Sequence, residues 1–314
     1  RHGVGIALSL YGAPGTSAES SGAIIKLNED GSFDVFANAN DGNSGSATVL
    51  AQIAAEVLGV PMEDILMHTS DTASIPFDAA TSASATLYGS GGAVKKAAEQ
   101  IRRQILTVAG RMLNTLPEAL KINAGTITAP NGHTTTISQV ASHSLHIEGR
   151  HIMTTASWKV QQTPTSFAAQ GVEVEVDTET GSVRVVKAIT AVDAGRVINP
   201  LIVGAQLLGS AVQGLGAGIC EEMIYDRNGH LLTTTFSDYG IYNARDMPEM
   251  QTYMVETNDP ANSFGAKVVA EHPLNAMAPA IANAVADALG VRIRQIPFTP
   301  ERVLRALHAQ ANKH

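Results

Sequence analysis

The sequence predicts an α+β protein built from two related units, roughly residues 1–150 and 151–314. The main observation is a repeat, because residues 22–36 and 171–186 both show alternating apolar residues around a short Gly-containing turn. Alternation on either side of such a turn is the pattern of a β-hairpin. The polar stretch 131–150 would join the two units.

A helical pattern follows each predicted hairpin. After a polar, Gly-containing turn, residues 47–58 and 201–217 carry apolar side chains at helical spacing. Each helix has a glutamine in its first half, Gln52 in one and Gln206 in the other. A strand–turn–strand–helix segment therefore occurs twice, which is the basis for predicting two related units.

Local signals predict further helices. Residues 92–113 have apolar side chains at helical spacing, and the alanine-rich residues 276–289 include Pro279, which would fit a first helical turn. Thr299 is a suitable N-cap and is followed by proline, so a last helix should begin there.

Composition indicates a globular chain. Of the 314 residues, 44% are apolar and 16% are charged, which is enough apolar material for a large core. The net charge of −8 and the lack of a basic patch argue against nucleic acid or an anionic membrane as a partner. No apolar run approaches the ~20 residues of a membrane helix and no secretory signal is evident, so we expect a cytoplasmic protein.

The distribution of cysteine and histidine excludes several kinds of site. Cys220 is the one cysteine, which excludes a disulfide framework and iron–sulfur ligation within this chain. The histidines are scattered, and none forms a cluster with Cys or Asp at metal-ligand spacing. A metal is therefore not expected to be held by side chains of this chain.

Four stretches rich in Gly, Ser, Thr and Ala precede helices and could bind a ligand. They are residues 40–48, 79–93, 193–206 and 263–273. Helix N-termini favour anions, and small side chains let the backbone approach a ligand closely. Together they indicate a large anionic cofactor, although none matches a nucleotide fingerprint and tight packing alone would explain any single stretch.

Glu271 is the acidic candidate for catalysis. It lies just before the alanine-rich helix, where a carboxylate can either interact with the helix dipole or act as a general base. A base of this kind usually lies in a dry pocket. The apolar flank of residues 268–270 is compatible with such burial.

Several of these segments resemble, in the same order, the xanthine dehydrogenase and aldehyde oxidase family of molybdenum hydroxylases. They are similar to the C-terminal half of that family's molybdopterin-binding region, and the similarity runs the length of the chain. The matching segments are residues 42–59, Asp71-Thr72, 81–85, 193–200, Gln206, 212–216, 265–273, 280–288 and 297–301.

The resemblance implies a cofactor and a set of site residues. Molybdenum would be held by the pterin dithiolene, with no protein side chain as a metal ligand. Glu271 corresponds to the family's catalytic glutamate, and Tyr11 would border the substrate pocket. The cofactor-binding residues implied are Gln206, Thr81, Ser82, Ala83, Ser84, Ser44 and Gly45.

Three positions depart from the family's pattern. Ser44 stands where the family's Gly-Gln-Gly has its glutamine, which weakens or reroutes one cofactor contact. The family's Gly-Glu-Pro-Pro becomes Ala270-Glu-His-Pro273, so that His272 lies beside the carboxylate. Ala85 is near the place of the usual arginine after the Ser-Ala stretch.

The resemblance also implies partners and a reaction. A chain of this length resembles the medium molybdopterin subunit of split enzymes of the nicotinate dehydrogenase type, active only with a large molybdopterin subunit, an iron–sulfur subunit with 2Fe–2S clusters and an FAD subunit. The cofactor would be molybdopterin cytosine dinucleotide. The implied reaction is hydroxylation of an N-heteroaromatic carbon, as in nicotinate to 6-hydroxynicotinate, with oxygen from water. A purine or aldehyde substrate, a non-catalytic cofactor-binding subunit and a plain α+β binding module stay open as alternatives.

Overall fold

The computed structural model describes residues 1–12, 20–42, 44–78, 81, 84–160, 165–260 and 262–312. The strands are β1 (His2–Gly12), β2 (Ser20–Leu27), β3 (Phe33–Ala37), β4 (Ile65–His68), β5 (Lys121–Asn123), β6 (Thr126–Thr128), β7 (Thr134–Thr136), β8 (Met153–Lys159), β9 (Thr165–Val176), β10 (Val183–Asp193) and β11 (Glu249–Val255). The helices are α1 (Ser46–Leu58), α2 (Thr86–Met112), α3 (Ile137–His146), α4 (Pro200–Ile219), α5 (Phe236–Tyr239), α6 (His272–Leu289) and α7 (Pro300–Ala311). The α+β class predicted from sequence is confirmed.

Contacts divide the chain into two compact units. One comprises Arg1–Gly12, Pro164–Asn258 and Lys267–His314, and the other comprises Ala13–Thr163 and Asp259–Ala266. The division near residue 150 stays a prediction, and the contact-based units differ from it because β1 groups with the second half of the chain. The physical reason is strand pairing, since β1 runs antiparallel to β9 over its whole length.

The unit that contains residues 165–258 is built on a four-stranded sheet in the order β1-β9-β10-β11. The predicted hairpin over residues 171–186 is confirmed as the antiparallel β9–β10 pair, whereas β11 runs parallel to β10. Helices α4 and α6 pack together, and α6 also covers one face of the sheet. The core of this unit includes Val174, Leu215, Met277 and Ile281, all fully or almost fully buried.

The contact between β1 and α6 depends on glycine. A Cβ built on Gly5 would lie 2.1 Å from the carbonyl oxygen of Ala280, and one built on Gly3 would lie 2.1 Å from that of Ala284. Real Cβ atoms do not approach backbone atoms this closely, so only glycine lets the helix lie this near the strand.

The other unit has a four-stranded sheet in the order β4-β3-β2-β8. Its predicted hairpin over residues 22–36 is confirmed as the antiparallel β2–β3 pair. Helices α1 and α2 pack on each other, and α2 packs on β2 and β8. Gly92 of α2 lies against the ring of Trp158, which a Cβ at that position would meet at 2.4 Å.

Helix boundaries show where local signals succeed and fail. Thr299 caps α7, since its side chain accepts a hydrogen bond from the amide of Arg302, as predicted. The predicted first residue of α6 was wrong. The helix begins at His272 and not near residue 276, so that Pro279 lies inside the helix and not in its first turn. The missing amide of an internal proline removes one helical hydrogen bond, and packing against β1, β9 and α4 supports the helix regardless.

Helix α4 corrects the statement that no apolar run approaches membrane-spanning length. It has 20 residues, and its most apolar 18-residue window has mean hydropathy 1.4, with 33% of that window buried. Among the described helices it is the one long and apolar enough to cross a membrane, by length and composition only. A core helix of a globular protein can meet the same two criteria, and α4 packs against α6.

A candidate active site around Glu271

Glu271 lies at the N-terminal boundary of α6, directly before the first helical residue. Its side chain is exposed, so the burial suggested by the apolar flank is not found. The reason is that the chain turns into α6 at this point, with His272 and Pro273 entering the core while Glu271 stays on the surface. An exposed carboxylate at this place can reach a bound molecule.

Tyr11, near the end of β1, is a direct partner of Glu271. Its hydroxyl donates a hydrogen bond to Glu271 Oε2 at 2.5 Å. Burial, together with the hydrogen bond and the charge of Glu271, raises the pKa of Tyr11 to about 12. The phenol therefore stays protonated at neutral pH and always acts as the donor. The predicted substrate contact of Tyr11 stays a prediction, and the contact with Glu271 is one that the sequence did not suggest.

His272 fixes the chain behind Glu271. It is fully buried, its ring stacks on Tyr11 with centroids 6.1 Å apart, and its carbonyl accepts a hydrogen bond from the Ser9 hydroxyl at 3.0 Å. Its Nε2 lies 3.2 Å from the Ser166 hydroxyl. These contacts hold the first turn of α6 to β1 and β9, and thereby hold the backbone that carries Glu271.

The hydrogen bonds of Ser166 decide which nitrogen of His272 carries the proton. The Ser166 hydroxyl has one hydrogen and donates it to the carbonyl of Asp193 at 2.5 Å. Its oxygen must therefore accept from the imidazole, which assigns the proton to Nε2. Nδ1 is buried and has no hydrogen-bond partner among the described residues. The arrangement suits a neutral imidazole.

Burial also keeps His272 neutral. It lowers the pKa of His272 to about 4, although the nearby backbone of Phe167 and the charge of Asp193 act in the opposite direction. The unfolded chain would bind a proton at this histidine near pH 6.5. The contribution of neutral His272 to the free energy of unfolding is therefore fully present above that pH and is lost as the pH falls towards about 4.

We expect His272→Gln to reduce this acid sensitivity. Glutamine keeps an N–H donor for Ser166 but does not titrate, so the melting temperature should fall less steeply between about pH 6.5 and 4 than in the unchanged protein. The measurement is thermal unfolding at several pH values. The exposed His146, replaced in the same way, serves as the control and should leave the pH dependence unchanged. Equal acid sensitivity of His272→Gln and the unchanged protein would contradict the assignment.

Helix α4 runs beside the Glu271 segment. The Ser210 hydroxyl donates a hydrogen bond to the carbonyl of Ala270, the residue before Glu271. Gln206 is four residues earlier on the same helix and is partly exposed. Gln206, the predicted cofactor-binding glutamine, is therefore about one helical turn from Ser210, the residue that contacts the Glu271 segment.

Asp193 and Lys267 form an ion pair in the same unit that sequence reasoning did not single out. Lys267 Nζ lies 2.7 Å from Asp193 Oδ2, and both side chains are largely buried. Burial alone would raise the pKa of Asp193, but hydrogen bonds from Lys267, Thr257 and the Gly195 amide lower it overall. The pair joins the end of β10 to the segment that leads to Glu271. The one available signal was that both residues lie in Gly-rich stretches already marked as candidates.

The remaining candidate residues lie in the other unit. Ser44 and Gly45 precede α1, and their amides both donate to the carboxylate of Asp41, at 3.0 and 2.6 Å. Thr81 is exposed, and Ser84 forms a turn with φ of 55° just before α2. Ser82 and Ala83 lie outside the described residues. The cofactor contacts of all these residues stay predictions.

Comparison with known proteins identifies the class. Residues 1–248 match the family described as molybdopterin cofactor-binding domain. The chain is 32% identical over 308 residues to the probable hypoxanthine oxidase XdhD of Escherichia coli K12, which covers 97% of this chain and 32% of that protein. It is 31% identical to the nicotine 6-hydroxylase large subunit of Paenarthrobacter nicotinovorans, over 90% of this chain and 36% of that protein. The crystal structure of quinoline 2-oxidoreductase from Pseudomonas putida 86 superposes with a TM-score of 0.91 at 28% identity, over 98% of this chain and 42% of that chain.

The fold and these matches define a molybdopterin-binding protein. More narrowly, the chain belongs to the xanthine dehydrogenase family of molybdenum hydroxylases. It spans about a third of the length of the two curated relatives, 32% and 36%.

The surface of α4 near Gln206 offers an amide donor, an amide acceptor and one open backbone position, which are groups that a polar ring such as a pterin can use. A Cβ built on Gly209 would meet no described atom within 4 Å, and one built on Gly204 would meet only the terminal methyl of Met254, at 3.3 Å. The backbone at Gly209 is thus open to close approach, whereas the contact at Gly204 is already tight, and the Gln206 amide can both donate and accept hydrogen bonds. Within the described residues there is no group of three or more His, Cys, Asp or Glu that could hold a metal ion.

Proposed function

We propose that this chain is the molybdopterin-binding, glutamate-bearing subunit of a multi-subunit hydroxylase. Its substrate would be an N-heteroaromatic ring, hydroxylated at a carbon beside the ring nitrogen with oxygen from water, as in nicotinate to 6-hydroxynicotinate. The observation that carries the proposal is the placement of Glu271: an exposed carboxylate at the start of α6, held by Tyr11 and lying next to the helix that carries Gln206.

The chain's own residues would bind the cofactor and move a proton. Gln206, with Thr81, Ser82, Ala83, Ser84, Ser44 and Gly45, would hold the molybdopterin. When bound, this cofactor supplies two-electron oxidation coupled to oxygen transfer from water. The Glu271 carboxylate would accept the proton that water loses as the new carbon–oxygen bond forms. Tyr11 would orient that carboxylate through Oε2.

The substrate class is supported by two of the relatives. Nicotine 6-hydroxylase and quinoline 2-oxidoreductase are both named for N-heteroaromatic substrates. The second candidate is a purine, because another relative is named a probable hypoxanthine oxidase and has a similar identity. Aldehydes are a third class, since the molybdenum-binding subunit of an Escherichia coli aldehyde oxidoreductase is 33% identical.

The complex would be completed by a large molybdopterin subunit, an iron–sulfur subunit with 2Fe–2S clusters and an FAD subunit. Relatives named as subunits of nicotine 6-hydroxylase and of a dehydrogenase complex support a multi-subunit assembly. We further propose the cytosine dinucleotide form of the cofactor and a cytoplasmic location.

Purification of the tagged chain from its native host with its bound partners tests this function. We expect molybdenum, a pterin that releases cytidine monophosphate on hydrolysis, flavin and iron in the purified complex. Turnover should be found with N-heteroaromatic acids and not with aldehydes. A complex that lacks molybdenum and pterin would refute the function, and turnover of hypoxanthine alone would move the substrate to the purine class.

A further inference from the structure

One face of the sheet β1-β9-β10-β11 is apolar where solvent-exposed sheet faces are usually polar. On β1 the side chains that point away from α6 are Val4, Ile6, Leu8 and Leu10, which are 59, 64, 78 and 63% exposed. The alternate positions that face α6 are mostly glycine, alanine and serine. An antiparallel sheet with one solvated face has the opposite arrangement, with its large apolar residues inside.

The apolar surface continues onto the neighbouring strand. Phe167 of β9 pairs with Leu10 and is 54% exposed, and Gly171 pairs with Ile6. A Cβ built on Gly171 would contact the Ile6 side chain at 3.9 Å, so Ile6 lies over β9. We call Val4, Ile6, Leu8, Leu10 and Phe167 the apolar sheet face. A contiguous exposed apolar surface of this kind marks a site of contact with a protein, a membrane or an apolar ligand.

Charged pairs border one end of this surface. Lys187 and Glu249 lie 3.1 Å apart on β10 and β11, and Arg184 pairs with Glu175 across β10 and β9. An apolar centre with a charged margin is the usual composition of a protein–protein interface. Glu173, which pairs with Val4, also belongs to this charged margin. Ile6, Leu8, Leu10 and Phe167 form a centre without a charged side chain, which favours an apolar protein surface as the occupant.

The partner would pack on the face and not add a strand to the edge. The amide of Val4 donates to Asp287 Oδ2 at 3.0 Å, and the carbonyl of Ile6 accepts from Asn283 Nδ2 at 2.9 Å. Side chains of α6 thus already bind the edge groups of β1 at these positions. Addition of a strand needs such groups to be available, whereas packing of side chains on the face does not.

We propose that the apolar sheet face binds the polypeptide that supplies the rest of the molybdopterin-binding protein. More than half of each named relative lies outside the part that this chain matches, in the same polypeptide. The apolar sheet face has the composition that packing of such additional protein against the matched part would use. The identity of the partner rests on the proposed function, whereas the surface itself rests on exposure and composition.

Photocrosslinking in the native host tests the surface. Leu8 is replaced with p-benzoylphenylalanine, and Leu116, which is 74% exposed in the other unit, is replaced in the same way as a matched control. We expect irradiation to join position 8 to a polypeptide whose sequence contains the other part of the molybdopterin-binding region. The same crosslink from position 116 should be about tenfold weaker or absent, because only position 8 would lie within reach of that polypeptide.

A charge substitution gives the second readout. Leu8→Asp should lower recovery of that polypeptide with the tagged chain by about tenfold or more, because a buried carboxylate without a partner weakens an interface, and Leu116→Asp should not. Thermal unfolding of both variants shows whether they fold. If Leu8→Asp does not fold, the photocrosslinking result alone tests the proposed surface. A crosslink from position 8 to a second copy of this chain or to another class of protein, or full recovery with folded Leu8→Asp, would overturn the proposal. A complex that contains molybdenum but shows no crosslink from position 8 would refute the proposed binding surface and leave the proposed function intact. A crosslinked complex that lacks molybdenum would refute the proposed function.

Discussion

Glu271→Gln is expected to lower kcat of the proposed hydroxylase complex by roughly 100- to 10,000-fold, the usual contribution of a general base. Glutamine has the size of glutamate and can still accept a hydrogen bond from the Tyr11 hydroxyl through its amide oxygen. It cannot accept the proton that leaves the attacking water. Molybdenum and pterin content should therefore equal those of the unchanged complex, and the loss should be in turnover. Steady-state kinetics and metal analysis of the same preparations measure both.

The control for this variant is Glu179→Gln. Glu179 is an exposed glutamate in the turn between β9 and β10, so the same change there removes a charge away from the candidate site. Its kcat should match that of the unchanged complex. Near-normal turnover of Glu271→Gln would instead favour a non-catalytic cofactor-binding subunit, with the reactive base in another chain. Loss of molybdenum together with activity would show that Glu271 acts in cofactor binding or assembly.

Gly5→Ala is expected to destabilise the chain by about 3 kcal/mol or more, because overpacking against rigid groups has costs at the upper end of the usual range. The added methyl carbon would lie 2.1 Å from the Ala280 carbonyl oxygen and 2.3 Å from the Ala284 amide nitrogen. Both atoms belong to the helix backbone and cannot move as a side chain could. Relief requires α6 to shift from β1, which would also displace the Glu271 segment. Thermal unfolding and the yield of the folded complex measure the effect.

Gly171→Ala provides the matched comparison. Gly171 also lies inside a strand of the same sheet, but a Cβ there would make only an ordinary contact with Ile6 at 3.9 Å. The added methyl should therefore be tolerated, with stability unchanged or raised by about 0.4–1 kcal/mol through the less flexible unfolded chain. If Gly5→Ala and Gly171→Ala unfold at the same temperature, the close approach of α6 to β1 is not needed for stability.

Local patterns in the sequence predicted much of the secondary structure. The alternation in residues 22–36 and 171–186 predicted both hairpins, and Thr299 predicted the start of α7. These signals succeed because alternation and capping act over a few neighbouring residues. Glu271 could be singled out in the same way, by its place before a helix, and the prediction of a catalytic role for it came from the family resemblance.

The tertiary structure decided what depends on residues far apart in the chain. It joined β1 to β9, with His2 opposite Glu175, and so placed Tyr11 against Glu271. It also started α6 at His272, which is buried and forms a hydrogen bond with Ser166, more than 100 residues earlier in the chain. A strand's own alternation shows that it has two different faces but not which strand it will meet or which face will be covered. The sequence by itself therefore determined most of the helices and strands, the family resemblance and the candidate carboxylate. Long-range strand pairing and burial, which no local pattern encodes, decided the surroundings of that carboxylate and left the apolar residues of β1 exposed.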